Sequence, residues 1–171
     1  MLECLRPVHR IESVCELSLD WLAREGVRGL LVDLDDTLVD DRARVCAPDI
    51  RAWLGTLRAA GIGVCVVSNS GRRRVVSVTG TFEPPLPFVC RARKPMTGGL
   101  RAALRVLALP DANVALVGDQ LFTDVLGGRR VGVRTILVRS TARERGGEGW
   151  LTRLKRPFER LVLGEALSRK R

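Results

Sequence analysis

Residues 29–39, Gly-Leu-Leu-Val-Asp-Leu-Asp-Asp-Thr-Leu-Val, constrain the fold more than any other stretch of the chain. Leu30, Leu31 and Val32 form a short apolar run of the kind that fills a strand buried on both faces. The run meets Asp33, Asp35, Asp36 and Thr37 without a break. Unpaired carboxylates are costly to bury, so this transition marks where a strand leaves the core. In an open parallel sheet that place is the carboxyl edge, where ligands bind. If the chain stays extended, alternation points Asp33, Asp35 and Thr37 the same way. Two carboxylates and a hydroxyl converging there suit a hard divalent cation together with a phosphate group. The bland alternative is an acidic turn that caps the next segment.

Further along, the pattern repeats. Ile11, Val14, Cys15 or Leu17, and Leu22 fall at helical spacing and predict a leading amphipathic helix over 11–25, stopped at Gly26. The first strand follows at about 28–34. Pro48 opens a helix through Ile50, Trp53, Leu54 and Leu57 to Gly61. Ile62 to Val67 is a β-branched run ending in Ser68-Asn69-Ser70-Gly71. Arg72 to Val78 reads as a short helix broken by Gly80 and by Pro84, Pro85 and Pro87, with Arg72, Arg73 and Arg74 a solvated face beside the site. Phe88 to Cys90 ends in Arg91-Ala92-Arg93-Lys94-Pro95, and Leu100, Ala103, Leu104 and Leu107 mark the next helix. Val114 to Val117 ends in Gly118-Asp119, a short helix follows Thr123-Asp124, and Thr135 to Val138 is the last strand. Strands alternating with helices imply a doubly wound, Rossmann-like α/β fold: a parallel five-stranded sheet with helices on both faces. Four strands end in polar clusters, and strand ends of one parallel sheet share an edge. Asp33 and Asp35, Ser68 and Asn69, Lys94, and Asp119 and Asp124 are therefore expected to meet in one site.

The length of 171 residues fits one domain, 1–171, with its core at about 28–140. The first ten residues contain Glu3, Arg6 and Arg10, which disfavours a secretory signal, and no segment is apolar enough to span a bilayer. A cytoplasmic protein is expected. Five cysteines, none in a C-x-x-C pair, argue against a disulfide framework or a zinc site. The net charge of +10 is concentrated at one end, since residues 139–171 hold ten Lys or Arg against four Glu. Such a patch attracts lipid or nucleic acid. Trp150, Leu151, Leu154, Phe158, Leu161 and Val162 also fall at helical spacing among the basic residues. The segment at about 146–171 is thus basic and amphipathic, suited to an anionic membrane or to packing on the core or a second subunit. Pro157 rules out one straight helix.

The four polar clusters, in this order, resemble the haloacid dehalogenase (HAD) superfamily of aspartate-nucleophile phosphatases over about residues 30–138. The resemblance implies that Asp33 is the nucleophile and forms an aspartyl-phosphate. It implies Asp35 as the acid that protonates the leaving oxygen and the base that then activates water, with Ser68, Thr37 and Asn69 on the phosphate. Lys94 adds positive charge. Mg²⁺ would be held by Asp33, the Asp35 backbone carbonyl and Asp119, while Asp124 holds a metal-bound water or pairs with Lys94. Each residue type suits the chemistry, because a carboxylate approaching a phosphate dianion is repelled until positive charge screens it. Lys94 is pointed in a chain with only two other lysines, Lys155 and Lys170.

The intervals from Thr37 to Ser68 and from Ser68 to Lys94 are used up by the sheet's own helices, so an HAD core without a cap domain is expected. An open site suits a bulky substrate, or a site covered by a homo-oligomer. Val117-Gly-Asp-Gln-Leu-Phe-Thr-Asp-Val-Leu-Gly-Gly-Arg-Arg, Ser68-Asn-Ser and Arg91-Ala-Arg-Lys-Pro95 are similar to the YqeG-type family of HAD subclass IIIA phosphatases. That family is linked to phosphatidylglycerophosphate phosphatase, which implies a phosphorylated lipid headgroup as partner and peripheral contact with the inner membrane face. Asp36 stands where the family pattern has Asn, and the stretch after Gly71 departs from it in its arginines and prolines. Two other readings remain open: a soluble phosphatase for a sugar phosphate, histidinol phosphate or nucleic acid end, and a basic RNA- or protein-binding module. Two aspartates beside an anion site argue against a pure binder.

Overall fold

A computed structural model describes residues 5–40 and 43–139. Six strands run β1 (His9–Ile11), β2 (Gly29–Val32), β3 (Gly63–Val67), β4 (Phe88–Val89), β5 (Val114–Gly118) and β6 (Arg134–Val138). Their order is β1-β6-β5-β2-β3-β4, and every pairing is parallel. Five helices lie between them: α1 (Leu19–Arg24), α2 (Pro48–Ala59), α3 (Arg72–Thr79), α4 (Thr97–Leu107) and α5 (Leu126–Val131).

Alternation along the central strands divides the interior into two cores. Leu30, Val32, Val64, Val66, Ala115 and Val117 face Leu22 of α1, Leu54 and Leu57 of α2, and Val75 and Val78 of α3. Leu31, Cys65, Val67 and Leu116 face Leu100, Ala103 and Leu104 of α4 and Val131 of α5. Because β2, β3 and β5 are covered on both sides, their residues are apolar throughout, as a doubly wound sheet requires. Cys65 is a buried core residue.

The sheet has six strands, one more than the alternation predicts. The extra strand, His9–Ile11, lies just before the segment expected as a single helix over 11–25 and takes its first residue, Ile11. Ile11, Val14, Leu17 and Leu22 are all buried, yet Ile11 pairs with Val138 at the sheet edge. Two successive caps divide the rest. Ser13 and Glu16 form a capping box that opens a short 3₁₀ turn over Val14–Glu16. Ser18 then caps α1 afresh, accepting from the Trp21 amide at 3.2 Å.

Helices α2 and α3 fill the chain between Thr37 and Lys94, with no additional domain among the described residues. No helix among them is long and apolar enough to cross a membrane. The basic amphipathic segment at about 146–171 lies outside the described residues.

Candidate active site

The central register places the site. Val32 pairs with Val66 on one side and with Val117 on the other, so β2, β3 and β5 end together. Asp33 continues the pairing, its amide donating to the Val117 carbonyl at 2.9 Å. The chain then leaves the extended form. Leu38 and Val39 donate to the Leu34 carbonyl at 3.0 and 3.1 Å, curling residues 34–39 into a tight turn. Asp36 has φ +60° at that turn. Asn and Asp are the non-glycine residues that best tolerate this left-handed region, so Asp36 meets the same backbone demand as Asn. Asp33 and Asp35 therefore take different partners, instead of sharing the one direction that continued extension would give.

Lys94 reaches the centre of the site from the loop after β4. Its Nζ lies 2.6 Å from Asp33 Oδ1 and 2.6 Å from Asp124 Oδ1, and all three residues are buried. Asn69 fixes the lysine's main chain in both directions, accepting from Lys94 N at 2.7 Å and donating to Lys94 O at 3.1 Å. Asn69, expected at the phosphate, spends its amide on supporting Lys94. Two further bonds hold the same loop, from Arg91 N to Ser70 O and from Ala92 N to Ser68 O. They keep Arg91 and Arg93 in left-handed backbone, φ +49° and +56°, a conformation that costs an ordinary side chain about 1–2 kcal/mol.

Asp124 sits in a wide π turn over Leu121–Val125. Its second oxygen accepts from Gln120 N at 3.1 Å and Thr123 Oγ1 at 3.2 Å. Gly118 makes room for it, since a Cβ there would lie 2.3 Å from Asp124 Cγ.

Asp33, Asp119 and Asp124 each offer an oxygen within 4.8 Å of the others. Asp119 Oδ1 is buried with no hydrogen-bond partner among the described residues. An orphaned anionic oxygen in an all-carboxylate set fits a hard divalent cation. The electrostatics agree. Burial, then the charges of Asp124, Asp33 and Asp36, push the Asp119 carboxyl up to about 8 against the pull of Lys94. Burial likewise holds the Asp33 carboxyl above the usual carboxylate range, despite the adjacent ammonium. Burial works against the charged form of Lys94, but Asp124 and Asp33 together raise it above an ordinary lysine.

Two hydroxyls stand ready to donate. Ser68 is buried and its Oγ accepts from Ser70 N at 3.0 Å, which leaves the hydroxyl proton for another acceptor. Thr37 Oγ1 is buried without a partner among the described residues. Asp35 is half-buried and held from one side only: Ser70 Oγ donates to Oδ2 at 2.6 Å and Arg74 Nε to Oδ1 at 2.9 Å. Ser70 and Arg74 are the site residues that sequence reasoning passed over. Helical spacing does not single out Arg74, since Arg72 lies at i, i+3 and i+7 with the buried Val75 and Thr79 while Arg74 lies at i and i+4 with Val78.

A family model described as HAD-hydrolase-like matches residues 91–152. Over 166 residues the chain is 37% identical to the probable phosphatase YqeG of Bacillus subtilis, covering 96% of this chain and 92% of that one. Two solved structures share the fold. One is a haloacid dehalogenase-like hydrolase from Brucella suis (TM-score 0.51, 13% identity, 69% of this chain and 90% of that one). The other is an uncharacterized protein from Listeria monocytogenes (TM-score 0.54, 17% identity, 65% and 78%). The parallel sheet, the acidic cluster at its carboxyl edge and the near-complete match to the Bacillus protein lead to one conclusion: the chain belongs to the HAD-superfamily phosphatase family of which YqeG is a member.

Proposed function

We propose that the protein is a Mg²⁺-dependent phosphomonoesterase that works through an aspartyl-phosphate on Asp33 and converts phosphatidylglycerophosphate to phosphatidylglycerol. The observation that carries this reading is the pairing of a buried carboxylate, Asp33, with a buried ammonium, Lys94, beside the orphaned oxygen of Asp119.

Asp33 and Asp119 would hold the cation, with the Asp35 backbone carbonyl and Asp124 at its margin. A bound Mg²⁺ supplies the positive charge that lets a carboxylate approach a phosphate dianion. The Asp33 oxygen forms a bond to phosphorus as the bond from phosphorus to the ester oxygen breaks. Asp35 gives the departing oxygen its proton. Water then attacks the phosphorus with Asp35 taking its proton, the bond to Asp33 breaks, and orthophosphate leaves. Lys94 keeps a fixed charge at the transferring group, and Ser68 and Thr37 donate to its oxygens. Asp124 and Asn69 hold Lys94 in place.

The lipid reading draws on three supports. The family resemblance is one. The second is that the described chain covers the site with nothing beyond its own helices, which suits a headgroup presented at a surface. The third is the exposure of Arg72, Arg73, Arg91 and Arg93 on the segments that carry Ser70 and Lys94. Guanidinium groups there suit a substrate that keeps a second, phosphodiester charge after hydrolysis.

Phosphate release from phosphatidylglycerophosphate, sugar phosphates, histidinol phosphate and nucleotides, with and without Mg²⁺, tests the proposal. The lipid is expected to have the highest kcat/KM, with turnover lost in chelator. Faster turnover of a soluble ester would replace the lipid assignment.

A further inference from the structure

We propose that Arg74 is a positioning residue for Asp35, fixing the acid–base carboxylate through contacts that also tie down the loop after the nucleophile. The inference rests on the acid–base reading of Asp35 given above. Arg74 is the third residue of α3, and its guanidinium serves three residues of the loop between β2 and α2. Nε donates to Asp35 Oδ1 at 2.9 Å, Nη2 to the Asp40 carbonyl at 2.9 Å, and Nη1 to the Ala43 carbonyl. Nη2 also lies 2.9 Å from Asp35 Oδ1. Ser70 Oγ holds the other carboxylate oxygen at 2.6 Å.

Both tethers of Asp35 thus come from the Ser70–Arg74 turn, and neither comes from Asp33, Lys94 or Asp119. The aim of Asp35 relative to the nucleophile is consequently set by α3 and the turn that leads into it, separated from Asp35 along the chain by α2 and β3. A typical surface ion pair contributes little. This one differs because the planar fork satisfies two backbone carbonyls with the nitrogens left over from the carboxylate. A lysine, with one nitrogen and a round charge, cannot span those three acceptors. Because misplacement of a reacting group by about 1 Å can cost on the order of 100-fold in rate, this attachment bears on catalysis and not on stability alone.

The test uses substituted phenyl phosphates whose phenols differ in acidity, and reads kcat/KM, which ends at phosphoryl transfer to Asp33. A good leaving group such as 4-nitrophenolate needs little protonation, whereas unsubstituted phenolate needs an aimed acid. Arg74→Ala and Arg74→Lys are expected to lower kcat/KM at least about tenfold for phenyl phosphate and less than about threefold for 4-nitrophenyl phosphate. The plot of log kcat/KM against leaving-group pKa then steepens toward that of Asp35→Asn. The double variant Arg74→Ala/Asp35→Asn is expected to lose little beyond Asp35→Asn alone. If Arg74→Ala does not fold, Arg74→Lys and Ser70→Ala carry the comparison, with the melting temperature of each measured beside it. An equal loss for every ester in the Arg74 variants, while Asp35→Asn steepens the plot, would overturn the positioning role and leave the acid assignment standing. An unsteepened plot for Asp35→Asn would remove the acid assignment, and this inference with it.

Discussion

Lys94 Nζ and Asp33 Oδ1 stand 2.6 Å apart, both residues buried, and Asp124 Oδ1 accepts from the same ammonium at the same distance. Two carboxylates balance one buried cation there, so no member can be removed without exposing the others' charges to a low-dielectric surrounding. Lys94→Met is expected to abolish phosphate release and to destabilise the metal-free protein by roughly 3–5 kcal/mol, the usual cost of orphaning a buried charge. Adding Asp124→Asn should restore part of the stability and none of the activity. Chemical denaturation of the single and double variants checks the first claim, and phosphate release the second.

Asp33→Asn keeps the size of the proposed nucleophile and removes its charge. Turnover is expected to disappear with the fold intact, read by phosphate release and by circular dichroism. Substantial remaining Mg²⁺-dependent activity would mean that the nucleophile lies elsewhere.

The acidic cluster makes stability depend on pH in a definite direction. Asp119, pushed up to about 8, and Asp33, held above the ordinary range, bind protons more tightly folded than unfolded. The stability they contribute is complete below about pH 4, where both states are protonated, and is withdrawn as pH climbs through the folded values. Lys94, raised above a normal lysine, stays charged across this window. The melting temperature of chelator-treated protein is therefore expected to fall between about pH 4 and pH 8 from these groups. Mg²⁺ should raise it more at pH 8 than at pH 5, because a cation favours the deprotonated carboxylates. Thermal unfolding across pH, with and without Mg²⁺, reads both effects; a cation response independent of pH would contradict this account.

Gly118→Ala places a carbon 2.3 Å from Asp124 Cγ and must displace that side chain. Lys94 then loses one of its two anchors, and kcat/KM is expected to fall on the order of 100-fold, as for other small misplacements of a reacting group. Steady-state kinetics on 4-nitrophenyl phosphate measures this without reference to the natural substrate.

Removal of residues 146–171 tests the lipid proposal from the other end of the chain. Turnover of phosphatidylglycerophosphate in anionic vesicles is expected to drop and to lose its salt sensitivity, while hydrolysis of 4-nitrophenyl phosphate is spared. Equal losses on both substrates would assign this segment to the folded core.

The residues legible from sequence share one trait: each lies where an apolar run stops. Asp33, Ser68 and Asp119 directly follow buried strands, Lys94 and Asp124 lie in the segments just beyond β4 and β5, and the topology of a parallel sheet is enough to collect them. What escaped depends on contacts between distant segments. Arg74 looks like its neighbours Arg72 and Arg73 until the Asp35 carboxylate and the Ala43 carbonyl are placed beside it. The divergence of Asp33 and Asp35 turns on two hydrogen bonds to the Leu34 carbonyl, which alternation of side chains does not foresee. Strand β1 was missed for a different reason. Three residues, His-Arg-Ile, carry too little periodicity to reveal a strand, and the one apolar residue among them, Ile11, also fitted the helical spacing of Val14 and Leu22. The Ser13–Glu16 capping box was the available clue that a new segment starts after Ile11.

The register at the middle of the sheet joins Gly29 to Val114, bringing an early strand against a late one. During synthesis from the amino terminus, Asp33 is therefore made long before the strand that seats its acidic neighbour exists. A ribosome-bound chain that has emerged only through α4 has Asp33, Ser68 and Lys94 but lacks Asp119 and Asp124, the two carboxylates that complete the acidic cluster. The acidic cluster can therefore assemble only late, when β5 and the turn after it join β2.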